Sequence, residues 1–179
     1  VSQQQKTKVK FLQEICDNEN VPILCLTETW LRPGVTDNEV NMDGFAIYRA
    51  DRLAKNSDFP HGGSAIYVKN SLPVLSHSSF SNGVCDCISV VIEELKLIIL
   101  VLYRPPRATY DSLYEALHFV SKEKHKQPSF TTILLGDFNF PKTMVTWSES
   151  DQGACPHFKS GRDVELNSLA LLLNSTGEE

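Results

Sequence analysis

Three short apolar runs, each followed at once by polar residues, constrain the fold of this chain more strongly than any other feature. Each run has the length and the aliphatic character of a buried β-strand rather than of a helix. In open α/β sheets, ligands bind where side chains leave the core at the ends of strands. We therefore expect functional residues in the three polar clusters, which are Thr27-Glu28-Thr29-Trp30, Tyr103-Arg104-Pro105-Pro106 and Gly136-Asp137-Phe138-Asn139-Phe140-Pro141.

The remaining pattern predicts an alternation of helices and strands. Apolar residues at helical spacing predict helices over 5–18, 111–124 and 164–173. Short runs bounded by turn residues predict strands over 22–28, 44–50, 64–68, 84–92, 95–103 and 131–135. Residues 51–61 and the segment after Asp137 that contains His157 are predicted to be loops. Because this order mixes hairpins with crossovers, we expect a pair of mixed sheets covered by helices rather than a purely parallel fold.

The composition narrows the classes of function. The 179 residues carry 17 basic and 22 acidic side chains and a net charge of −5, which argues against binding nucleic acid by bulk charge alone. An enzyme that contacts phosphates through a few residues and a metal ion remains possible. No apolar run approaches the roughly 18 residues that cross a bilayer, and the first residues lack a secretory signal. The length fits one domain, and we expect no membrane partner.

The cysteines indicate the redox compartment. Their number, five, is odd and their spacing is scattered, which favours a reducing, intracellular environment. Cys85 and Cys87 share one face of a predicted strand, so we expect packed thiols there rather than metal ligands.

The polar clusters contain the residue types of a hydrolytic site. Glu28 follows a buried run and needs a partner, for which a divalent metal is one choice and the capping of a turn is the other. Asp137 and Asn139 are two residues apart and point to the same side, while Phe138 between them points into the core. A carboxylate beside an amide suits a site that orients a water and binds an oxyanion. The alternative is an Asx-turn that uses both side chains locally.

These motifs carry a resemblance to a known family. In order and in strand context they resemble the endonuclease/exonuclease/phosphatase family, the DNase I-like fold, and in detail the endonuclease domain of non-LTR (LINE-type) retrotransposons. The resemblance runs from about Lys8 to about Leu173. The segments that carry it are Leu26-Thr27-Glu28-Thr29-Trp30-Leu31, Tyr48-Arg49-Ala50-Asp51-Arg52, Gly62-Gly63-Ser64-Ala65-Ile66-Tyr67-Val68, Tyr103-Arg104-Pro105-Pro106 and Leu135-Gly136-Asp137-Phe138-Asn139.

The resemblance implies a fold, an activity and a set of site residues. The expected fold is an α/β, DNase I-like four-layer α/β/β/α sandwich, here incomplete. The expected activity is metal-dependent phosphodiester hydrolysis, by a DNA-nicking endonuclease that uses Mg²⁺ (or Mn²⁺). By this analogy Glu28 is the metal ligand, Asp137 orients or deprotonates the attacking water, Asn139 holds the scissile phosphate, and Tyr103 stabilises its developing charge. Arg104 either contacts the nucleic-acid backbone or pairs with a nearby carboxylate.

The sequence also departs from the family pattern. Residues 1–179 are expected to form a single but partial domain that lacks the first strand, with its metal-site Asn, and the C-terminal Ser-Asp-His strand. The chain begins without Met, so we expect a fragment of a longer protein. A sheet that lacks a central strand exposes unpaired edges. His61 is expected near the groove, whereas the setting of each histidine differs from that of the catalytic one in the family.

Three functions remain open at this point. The first is a retrotransposon-type endonuclease with DNA as its partner. A reverse transcriptase domain in the same polyprotein is expected with it, and so is an intracellular location, nuclear if the protein is part of an active element. The second is a phosphoesterase of the same family that acts on phosphoinositides or lipids. The third is a catalytically dead remnant.

Overall fold

The computed structural model describes residues 3–52, 61–139, 144–150 and 153–159. The elements, numbered in chain order, are α1 (Gln3–Asn18), β1 (Ile23–Thr27), a 3₁₀ turn (Asp37–Val40), β2 (Phe45–Ala50), β3 (Ser64–Lys69), β4 (Ser76–Ser81), β5 (Asp86–Ile92), β6 (Leu97–Tyr103), α2 (Tyr110–Lys126), β7 (Thr131–Asp137), β8 (Met144–Ser150) and β9 (Gly153–Lys159). None of the described helices is long and apolar enough to cross a membrane.

The described strands form two sheets that face each other and a separate hairpin. The first sheet has the order β1-β3-β2 and is antiparallel throughout. The second has the order β4-β5-β6-β7, in which the β6–β7 pair alone is parallel and is connected through α2. The hairpin consists of β8 and β9. Both sheets are therefore built largely from hairpins, with the expected crossover before β7.

The core between the two sheets is aliphatic. One face of β5 and β6 contributes Ile88, Val90 and Ile99, which pack against Ile66 and Val68 of the first sheet. All seven residues of β5 are buried, so both of its faces are covered. Burial on two faces explains why most residues of this strand are apolar, since an alternating pattern would leave polar side chains in one of the two cores.

A helix covers the outer face of each sheet. In α2, Leu113, Leu117 and Val120 follow helical spacing and pack on the other face of β5 and β6. The Thr109 side chain accepts a hydrogen bond from the Ser112 backbone N–H and caps this helix at its N-terminus. In α1, Cys16 packs with Met42, Phe45 and Tyr67 against the first sheet. The expected four-layer α/β/β/α order is confirmed.

Three differences separate the observed elements from those expected. β4 was not predicted because Ser76-His77-Ser78-Ser79-Phe80-Ser81 is mostly polar, and it forms an edge strand paired only to β5 in the described chain. Residues 144–150 and 153–159 form a hairpin where a loop was expected, and His157 lies in its second strand. The helix predicted over 164–173 lies outside the described residues.

β1 and β7 are edge strands in the described part of the chain. Each has a partner on one side, β3 for β1 and β6 for β7. Ile133 and Leu135 of β7 are 39% and 43% exposed, which is high for large aliphatic side chains in a strand. Cys85 and Cys87 are fully buried free thiols in the core beneath α2, as their shared face predicts.

Candidate active site

The C-terminal ends of β1, β6 and β7 lie at one edge of the sandwich and bring together the predicted site residues. Tyr103 ends β6 and lies opposite Asp137 in the parallel register of β7. Glu28 follows β1 in the other sheet, and its carboxylate accepts a hydrogen bond from the Tyr103 hydroxyl. The three side chains thus meet across the junction of the two sheets, although they are distant in sequence.

The buried phenol of Tyr103 is held in its neutral form. Burial raises the pKa of Tyr103 above its ordinary range, and the hydrogen bond to Glu28 and the charge of that carboxylate raise it further. The negative charge of Asp137 acts in the same direction, whereas the guanidinium of Arg52 lowers the pKa. The hydroxyl therefore keeps its proton at neutral pH and acts as a hydrogen-bond donor at the edge of the site.

The backbone around Glu28 adopts an unusual conformation. Glu28 and Trp30 both have a φ of +54°, in the left-handed region that side chains other than glycine rarely occupy. Trp30 Nε1 donates a hydrogen bond of 2.6 Å to Glu28 Oε2, and the Trp30 backbone N–H donates to the Gly62 carbonyl at 2.9 Å. The His61 ring packs edge to face against the Trp30 indole, with 4.9 Å between the ring centroids.

Asp137 and Asn139 are held by a local turn. The Asn139 backbone N–H donates to Asp137 Oδ1 at 3.1 Å, and Asn139 Nδ2 donates to the Arg104 carbonyl at 2.8 Å. Asn139 itself has a φ of +47°. The Asx-turn that the sequence left open is therefore present, and it fixes both side chains at the end of β7. Phe138 between them packs against the core beneath α2, as expected.

Gly136 permits the close pairing that places Asp137 beside Tyr103. Its φ is +149°, and a Cβ at this position would overlap the carbonyl oxygen of Leu102 on β6. Any larger residue would push the end of β7 away from β6. The glycine directly before the aspartate is thus required by the strand pairing.

The geometry of Arg104 argues against the nucleic-acid contact predicted for it. Arg104 is only 1% exposed. Its guanidinium donates to the carbonyl oxygens of Phe138 and Asn139 at 3.2 Å each, and to that of Ala108 at 3.1 Å. These bonds connect the loop after β6 to the loop after β7, so the side chain stabilises the site from beneath. The sequence did not reveal this because a surface arginine and one that binds buried carbonyl groups have the same local signature.

A buried ion pair beside Tyr103 was not anticipated from the sequence. Asp86 is fully buried and accepts hydrogen bonds from Arg52 Nε at 3.0 Å, from the Gly63 N–H at 3.0 Å and from Ser81 Oγ at 2.7 Å. The Arg52 guanidinium also donates to the Val84 carbonyl and lies 5.0 Å from the centroid of the Tyr103 ring. A lone acid within an apolar strand was the available signal, because a buried carboxylate requires a partner.

The Arg52 guanidinium also supports the loop that contacts Trp30. Gly62 has a φ of +106°, and a Cβ there would lie 2.5 Å from Arg52 Cζ. The glycine therefore allows the backbone to pass directly over the guanidinium, and the Gly62 carbonyl accepts the hydrogen bond from Trp30. One arginine thus contacts both the phenol of Tyr103 and the loop that holds the turn after β1.

Arg49 stabilises the loop after Trp30 by hydrogen bonds to its backbone. Its guanidinium donates to the Val35 carbonyl at 2.6 Å and to the Arg32 carbonyl at 3.2 Å, and it pairs with Asp51 at 2.7 Å. The Tyr48–Arg52 segment therefore contributes two arginines with structural roles, Arg49 at the loop after Trp30 and Arg52 beneath Gly62.

Comparison with known proteins identifies the family. A sequence profile described as the Endonuclease/Exonuclease/phosphatase family matches residues 4–149. The chain belongs to this family. Among curated proteins, none matches the sequence. Several solved structures share the fold of this chain, although their sequences have low identity to it.

Three of these structures illustrate the similarity. A humanized TDP2 from D. rerio has a TM-score of 0.53 and 13% identity, over 79% of this chain and 59% of its own. The human nocturnin catalytic domain with a bound sulfate anion has a TM-score of 0.53 and 12% identity, over 78% and 58%. An AP endonuclease from Archaeoglobus fulgidus has a TM-score of 0.51 and 15% identity, over 73% and 52%. This family member therefore spans between 52% and 59% of the length of these three chains.

Members of the endonuclease/exonuclease/phosphatase family are generally dependent on a divalent metal, and the donor set here can be tested against that property. Within the described residues, no three or more His, Cys, Asp or Glu side chains cluster as they would in an all-protein metal cage. Mg²⁺, however, is commonly bound through one or two carboxylates together with waters and substrate phosphates. Glu28 is exposed and Asp137 half-buried, and both act electrostatically on Tyr103, so the site fits a cation held in this sparse way.

Proposed function

We propose that this chain is the endonuclease portion of a retrotransposon-type protein and nicks DNA by metal-dependent hydrolysis of a phosphodiester bond. The observation that carries the proposal is the convergence of Glu28, Tyr103 and Asp137 at one edge of the sandwich. A DNA substrate is supported by structural neighbours whose names refer to DNA chemistry, including a D. rerio TDP2 complexed with a single-strand DNA product. The retrotransposon context is supported by the wording of the Thr27–Trp30 and Tyr103–Pro106 motifs.

Each side chain has a defined part in the proposed reaction. Asp137 accepts a proton from the attacking water, and the turn to Asn139 fixes the direction of its carboxylate. Asn139 presents an amide to the scissile phosphate, and the neutral Tyr103 hydroxyl donates to an oxygen on which charge develops. Glu28 would hold Mg²⁺ or Mn²⁺. When bound, the cation polarises the phosphoryl oxygen.

The buried ion pair gives this site its rigidity. Asp86 and Arg52 hold the Tyr103 ring and the Gly62–Gly63 backbone without presenting a charge to solvent. Groups that act on a transition state contribute most when their positions are fixed before the substrate arrives.

The proposed setting is intracellular and, for an active element, nuclear. Cys16, Cys25, Cys85 and Cys87 are free thiols, which supports a reducing compartment. A reverse transcriptase domain in the same parent protein is part of this proposal and rests on the motif wording alone.

Nicking of supercoiled plasmid DNA tests the proposed function. We expect the purified chain to convert supercoiled plasmid to the open circle in Mg²⁺, and EDTA to stop it. Glu28→Gln and Asp137→Asn should each lower the rate by at least about a hundredfold, since each removes a group on which the chemistry depends. Glu94→Gln is the matched control, because this exposed acid lies in the β5–β6 turn at the opposite end of β6.

The outcomes separate the three functions. A folded chain that hydrolyses a phosphoinositide but leaves plasmid intact would place it with the lipid phosphoesterases. A folded chain without activity on either substrate would support the remnant. Equal activity of the Glu28→Gln and Glu94→Gln variants would contradict the proposed site.

A further inference from the structure

The Glu28 carboxylate has an unusual environment for an exposed acid. It lies at the surface after β1, yet it accepts hydrogen bonds from two aromatic side chains, Trp30 and Tyr103. A glutamate on the surface ordinarily samples several rotamers, and a single hydrogen-bonded geometry costs side-chain entropy. Two donors that converge on one carboxylate offset this cost and define its direction.

The bond from Trp30 is the better defined of the two. Its length, 2.6 Å, is short for an N–H donor, as expected when the acceptor carries a full charge. The indole Nε1–H can donate but cannot accept, so this contact is formed with the carboxylate oxygen only. An ionised carboxylate has about four lone-pair directions, so a donor on Oε2 leaves others available for a cation.

Two contacts hold Trp30 in place besides its bond to Glu28. The Trp30 backbone N–H is bonded to the Gly62 carbonyl at 2.9 Å, and His61 packs against the ring. Gly62 in turn lies on the Arg52 guanidinium, which Asp86 holds at 2.9 Å. Trp30 is nevertheless 53% exposed, whereas a tryptophan that only stabilises the core is largely buried.

The backbone conformation is also adapted to the contact between Trp30 and Glu28. Both Glu28 and Trp30 have a φ of +54°, a conformation that is unfavourable for these residues unless their surroundings stabilise it. This conformation is what brings two side chains only two residues apart into contact after the strand ends.

We infer that Trp30 is a positioning residue, whose indole N–H orients the Glu28 carboxylate for binding a divalent cation. The inference rests on the proposed function, since it assumes that Glu28 is the metal ligand. Hydrogen bonds to the ligands of a metal fix the orientation of those ligands, and their loss typically lowers metal affinity about 10- to 100-fold. Trp30 therefore acts on the cation through Glu28 and not by contact.

Direct binding of Mn²⁺, followed through the electron paramagnetic resonance signal of the free ion, tests the inference without any measurement of activity. We expect Trp30→Phe, which keeps an aromatic ring but removes the donor, to weaken Mn²⁺ binding by about tenfold. Replacement of residue 30 by benzothienylalanine, which keeps the shape of the indole but lacks the N–H, should give the same loss. Trp147→Phe, at the one other tryptophan of the sequence, is the matched control and should bind as the parent does.

Indole emission provides a second measurement. In the Trp147→Phe chain Trp30 is the only tryptophan, so its fluorescence should shift when Mg²⁺ occupies the carboxylate to which it is bonded. Glu28→Gln should abolish this shift. A retained far-UV circular dichroism spectrum shows that each variant is folded.

The outcomes distinguish failure of the inference from failure of the proposed function. Equal or tighter Mn²⁺ binding by the benzothienylalanine chain, together with weakened binding by Glu28→Gln, would overturn the role of Trp30 and leave the metal role of Glu28 in place. If the parent chain binds no Mn²⁺, or if Glu28→Gln binds as well as the parent, the metal role of Glu28 is overturned and the inference is overturned with it.

Discussion

The carboxylate of Asp86 pairs with the guanidinium of Arg52 at 2.9 Å, inside the protein and beside the ring of Tyr103. Asp86 lies directly opposite Tyr103 in the β5–β6 register, so the ion pair and the phenol occupy neighbouring positions of one hairpin. The pair also holds the backbone of Gly63 and reaches the loop that contacts Trp30. One buried interaction thus connects the two sheets at the site.

Asp86→Asn should destabilise the protein strongly. Removal of one partner of a buried pair leaves the other charge uncompensated and costs roughly 3–5 kcal/mol. The free energy of unfolding, measured by urea denaturation, should fall by about that amount. Glu94→Gln, which removes an exposed negative charge, should change it by less than about 0.5 kcal/mol. A loss below about 1 kcal/mol for Asp86→Asn would show that the pair contributes little.

Gly136→Ala should disturb the end of the β6–β7 pair. The new methyl group would meet the Leu102 carbonyl, and the φ of +149° is unfavourable for alanine, so we expect a loss of about 3 kcal/mol or more in the free energy of unfolding. Gly34→Ala is the control because a Cβ there meets nothing within 4 Å. If the two variants unfold at the same urea concentration, the close approach is not needed for the fold.

Tyr67→Phe should change the response to alkaline pH. The Tyr67 hydroxyl donates to the Val40 carbonyl at 2.7 Å, and burial raises the pKa of Tyr67 from 10.0 to about 12. A raised folded pKa means that the contribution of this group is complete below pH 10 and is lost as the pH rises towards 12. The parent should therefore lose stability above pH 10 more steeply than the variant, which already lacks about 1 kcal/mol of hydrogen bonding at pH 8.

Denaturation curves from pH 8 to pH 11 measure this difference. Tyr114→Phe removes an exposed phenol and should reproduce the slope of the parent. Parallel slopes for the parent and for Tyr67→Phe would mean that ionisation of Tyr67 does not limit alkaline stability.

Arg104→Gln should weaken the site without removing a phosphate contact. The logarithm of DNA affinity falls with the logarithm of salt concentration by about 0.9 for each phosphate neutralised. Because Arg104 is buried and bonded to backbone carbonyls, we expect the same salt slope as in the parent, together with a lower free energy of unfolding. Arg107→Gln removes an exposed charge nearby and controls for the change in net charge. If Arg104→Gln alone lowered the salt slope of DNA binding by about one, the result would show that Arg104 contacts a DNA phosphate.

The part of this structure that the sequence could reveal is the part set by local patterns. The apolar runs of β1, β5, β6 and β7 identify strands, and the residue types after β1, β6 and β7 indicate a candidate hydrolytic site. The sequence pattern did not predict β4. An edge strand needs little apolar surface, so Ser76–Ser81 resembles a loop. The roles of Trp30, Arg52 and Asp86 could not be predicted from the sequence. Each depends on a partner far away in the chain or on a backbone turn with positive φ, and neither leaves a local sequence pattern.

The candidate site is divided between the two sheets, so its residues come together only when both sheets have formed. Glu28 comes from the first sheet, whereas Tyr103 and Asp137 come from the second. During synthesis on a ribosome, Glu28 emerges first. It meets the other site residues only after the strand that ends in Asp137 has emerged and joined the sandwich. Slow steps in late folding would therefore delay the assembly of the candidate site, and a protease that cuts the chain between Arg52 and Asp86 would break the covalent link between its two parts.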